Sequence, residues 1–531
     1  MFDPISAHIF AAKGGAMSWS AGLGVTPRRD SDPIAAKGVG GPAMHSWCIG
    51  GQTQAFALLC ALILSACACS SRSTPEDVSA QDAVDSSLGD QRSLGDAVDV
   101  DVHLGQWTFG GPFREEARSL FETADGDLVM AGYTESWGQG DWDGLVVRSS
   151  ACGQVKWAKA YGAKLKDALN GGGALASGGL AVVGVTHSFE RYVEAWVMKL
   201  DDAGEVQWSK AYGGGGHDLA VAVTETLSGD LIVLGETYNF GPGTPDNHNL
   251  SVMRVRGSDG ALLWDRVYGG GDAGDAGFAL LRTGGPEQRF VIAGATESFG
   301  AGRDDVWLIQ HRADGVMDWS RVIGDVQDDE SRAIYPDSNG GYLISGFTRT
   351  WTQGKSDGFV LRVDQDGQPS WLRSYGSAER ERFYGAYPVG AGWVALGHSQ
   401  TFGDGEVDGL VALLDTTGAV VSSWLLGGNR DDEILASTRS ADGTIWFAGW
   451  NSSKSGSDRD LWFGHVPVAV GEPCGTHALS EGKLKRAEAL PPSLSVSPVI
   501  TSGFEIQDAP VSTESLAFST SELCSAADCS K

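Results

Sequence analysis

Basic residues are scarce in this 531-residue chain: 39 Lys and Arg stand against 68 Asp and Glu, a formal net charge of −29. A surface of that sign repels phosphate backbones and anionic bilayers, which argues against nucleic acid as a partner and leaves neutral or cationic ones. Several catalytic signatures are also missing. The histidines form no H-x-x-x-H or H-E-x-x-H pair, so a zinc hydrolase is not expected, and no G-x-S-x-G elbow marks a nucleophile. No two of the eight cysteines are adjacent. The apolar run 55–66 is twelve residues long, short of the ~20 that a membrane-spanning helix needs.

Glycine and tryptophan, by contrast, are plentiful, at 75 and 18 residues. Many tight turns together with many large apolar side chains point to an all-β chain. The run Gly213–Gly216 raises the question of a phosphate-binding loop, but the dinucleotide fingerprint needs spaced glycines between a strand and a helix. Here "DLAVAVTETLSGD" follows, and its β-branched residues and Gly-Asp turn read as a strand.

An internal repeat accounts for the glycines. Aligned on an aromatic or aliphatic residue followed by glycine, the chain gives Gly110, Gly162, Gly213, Gly269, Gly324, Gly376 and Gly427, at intervals of 51 to 56 residues. W-x-[KR]-x-[YI]-G recurs at Trp157, Trp208, Trp264, Trp319 and Trp371, while Trp107 and Trp424 stand two residues later, on the same face of a strand. An acid follows each glycine: Glu115, Asp167, Asp218, Asp275, Asp329, Glu381 and Asp432. Then comes an apolar strand ending in G-x-[TSN], such as "LIVLGET". A second acid or amide introduces the next strand: Asp143, Glu194, Asn249, Asp305, Asp357, Asp408 and Asp460.

Four short strands per unit of ~40–50 residues are the pattern of a propeller blade. Labelled A to D from the channel outward, the chain enters on a lone D strand (104–110) and leaves after a seventh C strand. The expected fold is therefore a seven-bladed β-propeller over 104–470, with four-stranded blades and the first D strand completing the last blade, which removes an open seam.

Both sets of acids fall on connections that open on one face. Two readings stand: a site for a cation such as calcium or a basic partner, or carboxylates that fix turns by accepting backbone N–H bonds. Recurrence in every unit favours the turns. Positions that break the repeat carry more functional information. His217, Asp218 and Glu236 lie in the third unit, which has the longest B–C loop (238–249), and Arg380 and Arg382 bring positive charge to the sixth. These five residues form the candidate binding face.

At the N-terminus, residues 1–66 read as a leader whose apolar core ends in Leu64-Ser65-Ala66-Cys67. Residues 67–103 are rich in Ser, Asp and Ala without aromatics, the composition of a flexible acidic linker. Residues 471–531 lack the repeat and either lie as an extended segment on the outside or stay loose. Cys152 with Cys474 across the seam, and Cys524 with Cys529, are candidate pairings.

Leu64-Ser65-Ala66-Cys67 resembles the lipobox of bacterial lipoproteins. The resemblance implies that Cys67 is lipidated, with Ala68 favouring the outer membrane. The W-x-[KR]-x-Y-G-G units resemble tandem repeats of bacterial surface lipoproteins. "DDAGEVQW" and "GSDGALLW" resemble the tryptophan-docking blades of quinoprotein dehydrogenases and of the lipoprotein that assists outer-membrane barrel assembly. The resemblance specifies the fold and not the role; the expected role is a monomeric, surface-anchored, non-enzymatic binder of a protein, glycan or envelope component, with no cofactor, calcium being the one candidate. An enzyme at the acidic mouth and an assembly scaffold are the alternatives. A quinoprotein is disfavoured, because those enzymes usually have eight blades and adjacent disulfide-bonded cysteines.

Overall fold

The computed structural model describes residues 105–466, apart from short loop segments at 190–191, 244–246, 271–272, 286–287, 339, 353, 404–405 and 454–457, and the backbone of seven strands between 476 and 524. The leader, Cys67 and the linker lie outside the described residues, as do Cys474 and Cys529. Every regular element among the described residues is a β-strand.

The strands form seven antiparallel sheets in a ring, a seven-bladed β-propeller. The A strands Glu115–Glu122, Asp167–Ala174, Asp218–Glu225, Asp275–Arg282, Asp329–Pro336, Glu381–Val389 and Asp432–Arg439 begin blades 1 to 7 and line the channel. Each A strand packs on the A strand of the next blade, and that of blade 7 packs on that of blade 1. Closure uses Gln106–Phe109 as the D strand of blade 7, paired with Asp460–Val466 so that Gln106 faces Gly464 and Phe109 faces Leu461. B strands such as Leu231–Thr237 are buried along their whole length, because each sheet is covered by a neighbour on both faces.

The repeated tryptophan joins blades. On the D strand of blade 1 the Trp157 indole N–H donates to the Asp202 carbonyl of blade 2 at 3.2 Å, and the Tyr161 hydroxyl donates to the Gly204 carbonyl at 2.7 Å. Blade 2 repeats this with Trp208 to Gly257 (3.1 Å) and Tyr212 to Gly260 (2.6 Å). The receiving turn needs glycine: Gly204 and Gly260 hold φ of 76° and 72°, and a Cβ on either would press on the visiting tryptophan. The basic residue of W-x-[KR] stands two positions along the same strand face. Its charge lies over the indole, at 5.5 Å for Arg266 on Trp264 and 5.4 Å for Arg373 on Trp371.

The C-terminal segment adds a fifth strand to every blade. Thr476–Ala478 pairs with blade 6, Lys485–Ala489 with blade 5, Ser493–Ser495 with blade 4, Val499–Thr501 with blade 3, Glu505–Asp508 with blade 2 and Ser512–Ser515 with blade 1. Thr520–Cys524 then pairs with the closing strand Gln106–Phe109 of blade 7. The chain goes round the ring once to build it and returns the opposite way to cover its rim. Four strands per blade, the sequence expectation, are the repeat's share; the fifth comes from the tail. Cys152 is disulfide-bonded.

Candidate functional site

The mouth of the channel at the D–A and B–C connections is built on one motif. The acid that starts each A strand lies opposite the last residue of G-x-[TSN], which in turn lies opposite the acid or amide that starts the C strand. Asp167, Thr186 and Glu194 form one such row, and Asp329, Thr348 and Asp357 another. The first acid accepts from the hydroxyl and from a backbone N–H just after the repeat glycine. For Asp167 these bonds are Thr186 Oγ1 at 2.6 Å and the Ala163 N–H at 2.8 Å; for Glu115 they are Thr134 Oγ1 at 2.8 Å and the Gly111 N–H at 2.7 Å. Asp275, Glu381 and Asp432 bind the Gly270, Ser377 and Gly428 N–H groups in the same way.

The second acid ties down the B–C loop. Asp143 accepts from the Gln139 and Gly140 N–H groups at 3.0 and 2.9 Å, and Asp305 from those of Ala301 and Gly302 at 2.9 and 3.3 Å. Blade 3 carries Asn249 here because its longer loop presents carbonyls: the amide donates to Phe240 and Pro242 at 3.2 and 3.1 Å. These acids also explain the repeat glycine. A Cβ on Gly162, Gly213, Gly324, Gly376 or Gly427 would overlap Asp143, Glu194, Asp305, Asp357 or Asp408, and on Gly110 it would overlap Asp460.

Burial dominates the titration of these carboxyls, pushing Asp218, Asp275 and Asp305 up to about 6 and Asp329 up to about 7. Among the described residues, no group of three or more His, Cys, Asp or Glu is arranged to hold a metal. Most of the acid oxygens are spent on turn donors, while Asp305 Oδ1 is buried without a protein donor because both loop N–H groups bind the other oxygen.

The five sequence-selected residues fall into two groups. His217, Asp218 and Glu236 lie together on blade 3, where Asp218 accepts from the Asn239 amide and the His217 ring approaches Tyr238 edge-on at 6.1 Å. Glu236 is buried, opposite Leu219 in register. Arg380 and Arg382 lie three blades away on blade 6. Arg380 is half-buried at the rim, where its carbonyl accepts from the Gln400 N–H at 2.8 Å. Arg382 belongs to a cluster that the sequence did not reveal.

That cluster lines the mouth along blades 5, 6, 7 and 1. Arg382 lies over Phe347 at 4.6 Å. His398 Nδ1 is 2.9 Å from Glu433 Oε1, and Arg332 Nη2 is 2.7 Å from Glu330 Oε2. Glu116 joins Arg118 at 2.9 Å and Arg459 at 3.6 Å, Arg459 lies over Trp450 at 3.8 Å, and Arg118 donates to Asn170 Oδ1 at 3.1 Å. Glu116 and Arg118 side chains are each only 2% exposed. Burial pushes the Glu433 carboxyl up, but His398, Arg382 and Arg459 pull it net below the usual carboxylate range. Nearby Asp304 moves the other way, up to about 8, through burial and then the charges of Glu330, Glu297 and Asp328.

Beside it, across blades 1 to 3, lies an apolar patch. Tyr133, Ala168 and Val185 form a buried cluster with Trp142, Val193 and Leu219 packed on it, and Trp142 stacks on Tyr133 at 4.6 Å. The contrast sits in one column of the repeat. The residue after the turn acid is Glu116, Glu330, Arg382 or Glu433 in blades 1, 5, 6 and 7, but Ala168, Leu219 or Ala276 in blades 2 to 4. Reading that column for variation rather than recurrence is the signal that finds the cluster.

No family model and no curated protein matches the chain. Solved structures similar to it include a phage phi92 endosialidase, 9% identical over 69% of this chain and 70% of that one, with a TM-score of 0.39. An α-L-arabinofuranosidase from Fusarium graminearum is 12% identical over 69% and 98%, with a TM-score of 0.32. A quinohemoprotein alcohol dehydrogenase from Pseudomonas putida HK5 is 10% identical over 66% of each chain, with a TM-score of 0.33. Proteins this distant lend the chain none of their activities.

Proposed function

We propose that the chain is an envelope-anchored, non-catalytic β-propeller that binds a protein or glycan component at the mouth formed by its D–A and B–C connections. The observation that carries this reading is the charge network in which the buried side chains of Glu116, Arg118, Glu330 and Arg332 meet half-buried Arg382 and Glu433. Buried ion pairs break even at best against apolar packing of the same volume, so stability does not account for them. Charges held together around a concave mouth, with the Glu433 carboxyl pulled down against burial by His398, Arg382 and Arg459, are instead a mark of function. A charged arc beside an apolar patch offers a partner both oriented polar contacts and a greasy anchor.

Anchoring rests on Leu64-Ser65-Ala66-Cys67, and an acylated terminus carrying several chains would hold the protein firmly at the outer membrane. Metabolic labelling with palmitate tests it: label is lost in Cys67→Ser, and retained label overturns the anchor. Capture from envelope extracts tests the mouth. Arg382→Ala, checked for an unchanged melting temperature, is expected to recover at least about tenfold less partner than wild type. Equal recovery removes the mouth as the binding face.

A second reading, an enzyme, rests on Asp304 alone: burial and the charges of Glu330, Glu297 and Asp328 push its carboxyl up to about 8, which suits a general acid near neutral pH. Turnover on glycan or ester panels that disappears in Asp304→Asn would select it over binding alone.

A further inference from the structure

The opposite face of the ring carries a cavity of about 590 Å³ between blades 4 and 5. Arg289, Gln310, Asp318, Trp319, Tyr342 and Gln365 are among its lining residues. We propose that it is a binding site for an uncharged, polyhydroxylated ligand of the saccharide class.

Three observations converge on it. First, the repeat fails here. In blades 1 to 3 the D-strand indole N–H donates to a carbonyl in the next blade's C–D turn, at 3.2, 3.1 and 3.1 Å. The Trp319 indole N–H of blade 4 is buried and has no acceptor. A buried donor left unmade costs ~1–3 kcal/mol; the nitrogen is covered in this structure, so a ligand hydroxyl recovers that cost by displacing the atoms that now cover it.

Second, the same spot holds an enlarged A–B connection. The Thr283 N–H reaches the Arg289 carbonyl six residues on, whereas blades 1, 3, 5 and 7 close the equivalent turn in four: Thr123 to Asp127, Thr226 to Asp230, Asp337 to Gly341 and Ser440 to Thr444. Within the larger loop Gln288 takes φ of 39°, the one non-glycine with positive φ among the described residues. Insertions into one loop of a repeat are where binding surfaces are built, and the volume is in the ~300–1,000 Å³ range of small-molecule sites.

Third, the lining chemistry selects neutral polar ligands. Arg289 is paired with Asp318 at 2.8 Å, and Asp337 with Arg362 at 2.6 Å, while Asp366 adds a third carboxylate to the wall, so anionic ligands are disfavoured and hydroxyl donors find acceptors. Gln310 donates to the Tyr342 hydroxyl at 3.3 Å, which leaves the phenol hydrogen to donate onward. Indole N–H and phenol O–H donors beside carboxylate acceptors match the paired donor and acceptor character of sugar hydroxyls.

The test uses the full chain carrying 15N-tryptophan, with glucose, galactose, arabinose and N-acetylglucosamine added up to about 50 mM, well above a Kd of about 1 mM. At least one sugar is expected to shift the Trp319 indole N–H resonance saturably. Gln365→Trp, at an exposed turn residue, fills the cavity without touching the core and is expected to weaken binding at least tenfold at an unchanged melting temperature. Arg382→Ala at the mouth should leave the shift intact, so failure here is distinct from failure of the mouth. The proposal is overturned if no sugar moves the resonance, if the shift survives Gln365→Trp, or if glucose 6-phosphate binds more tightly than glucose.

Discussion

Replacing Asp329 with asparagine separates the charge of a turn acid from its shape. Asp329 is fully buried and accepts from Thr348 Oγ1 at 2.5 Å, Thr350 Oγ1 at 2.9 Å and the Asp325 N–H at 3.2 Å. Burial still lifts its carboxyl from 3.8 to about 7. The folded protein therefore keeps this proton to a higher pH than the unfolded chain does. Between those two values the native state binds more protons, so stability falls as pH rises. The contribution is whole below about pH 4 and is lost as pH passes through about 7. Integrated from about pH 5 to about pH 8, the loss is roughly 2–3 kcal/mol. Asparagine cannot titrate; with its oxygen kept on the Asp325 N–H, its amide turns a donor toward Thr348 Oγ1, which already accepts from the Thr350 and Trp351 N–H groups, at a cost of ~1–3 kcal/mol. Urea unfolding followed by tryptophan emission at the two pH values reads the balance. The variant is expected to be the weaker protein near pH 5 and to close that gap by roughly 2–3 kcal/mol near pH 8. A gap of equal size at both would refute the raised carboxyl.

Other substitutions probe the scaffold. Trp208→Phe should cost about 1 kcal/mol for the lost bond to Gly257, and Trp208→Ala about 3–5 kcal/mol for the emptied wedge, both read by denaturant melts. Gly213→Ala forces a methyl into the Glu194 carboxylate, which must swing off its turn, and should cost about 1–3 kcal/mol in denaturant melts. Gly284→Ala meets nothing within 4 Å and should leave the melting temperature unchanged. Removing residues 471–531 uncovers seven D-strand edges, so light scattering should report association while the ring keeps its β-sheet circular dichroism.

The ring was legible in the sequence because each recurring letter does a separate physical job. Glycine leaves room for the C-strand acid, the acid closes the D–A turn, and tryptophan reaches the next blade. Blade count and closure follow from seven such units and an unpaired opening strand. The tail was legible only as an extended outer segment, one of two alternatives; its seven separate strands were not. Ser493–Ser495 reads only "SLS", and its pairing is templated by the edge of blade 4 rather than by its own pattern. The charge cluster was hidden for a different reason: Glu116, Glu330 and Glu433 sit beside the recurring acids and read as part of them. Only the fold sets Glu433 next to His398 from the neighbouring blade. The isolated indole of Trp319 was invisible too, since its motif matches those whose N–H groups are satisfied.

The strand Gln106–Phe109 has Asp460–Val466 on one flank and Thr520–Cys524 on the other. If the protein hangs from a lipid at its front end, every tug transmitted along the linker arrives at this one ribbon. A ribbon at the border of a sheet unzips bond by bond. One gripped on both sides must shear two ladders together, so the load path runs through the best-clamped segment of blade 7. Under such a tether the returning tail would act as a mechanical lock on the ring.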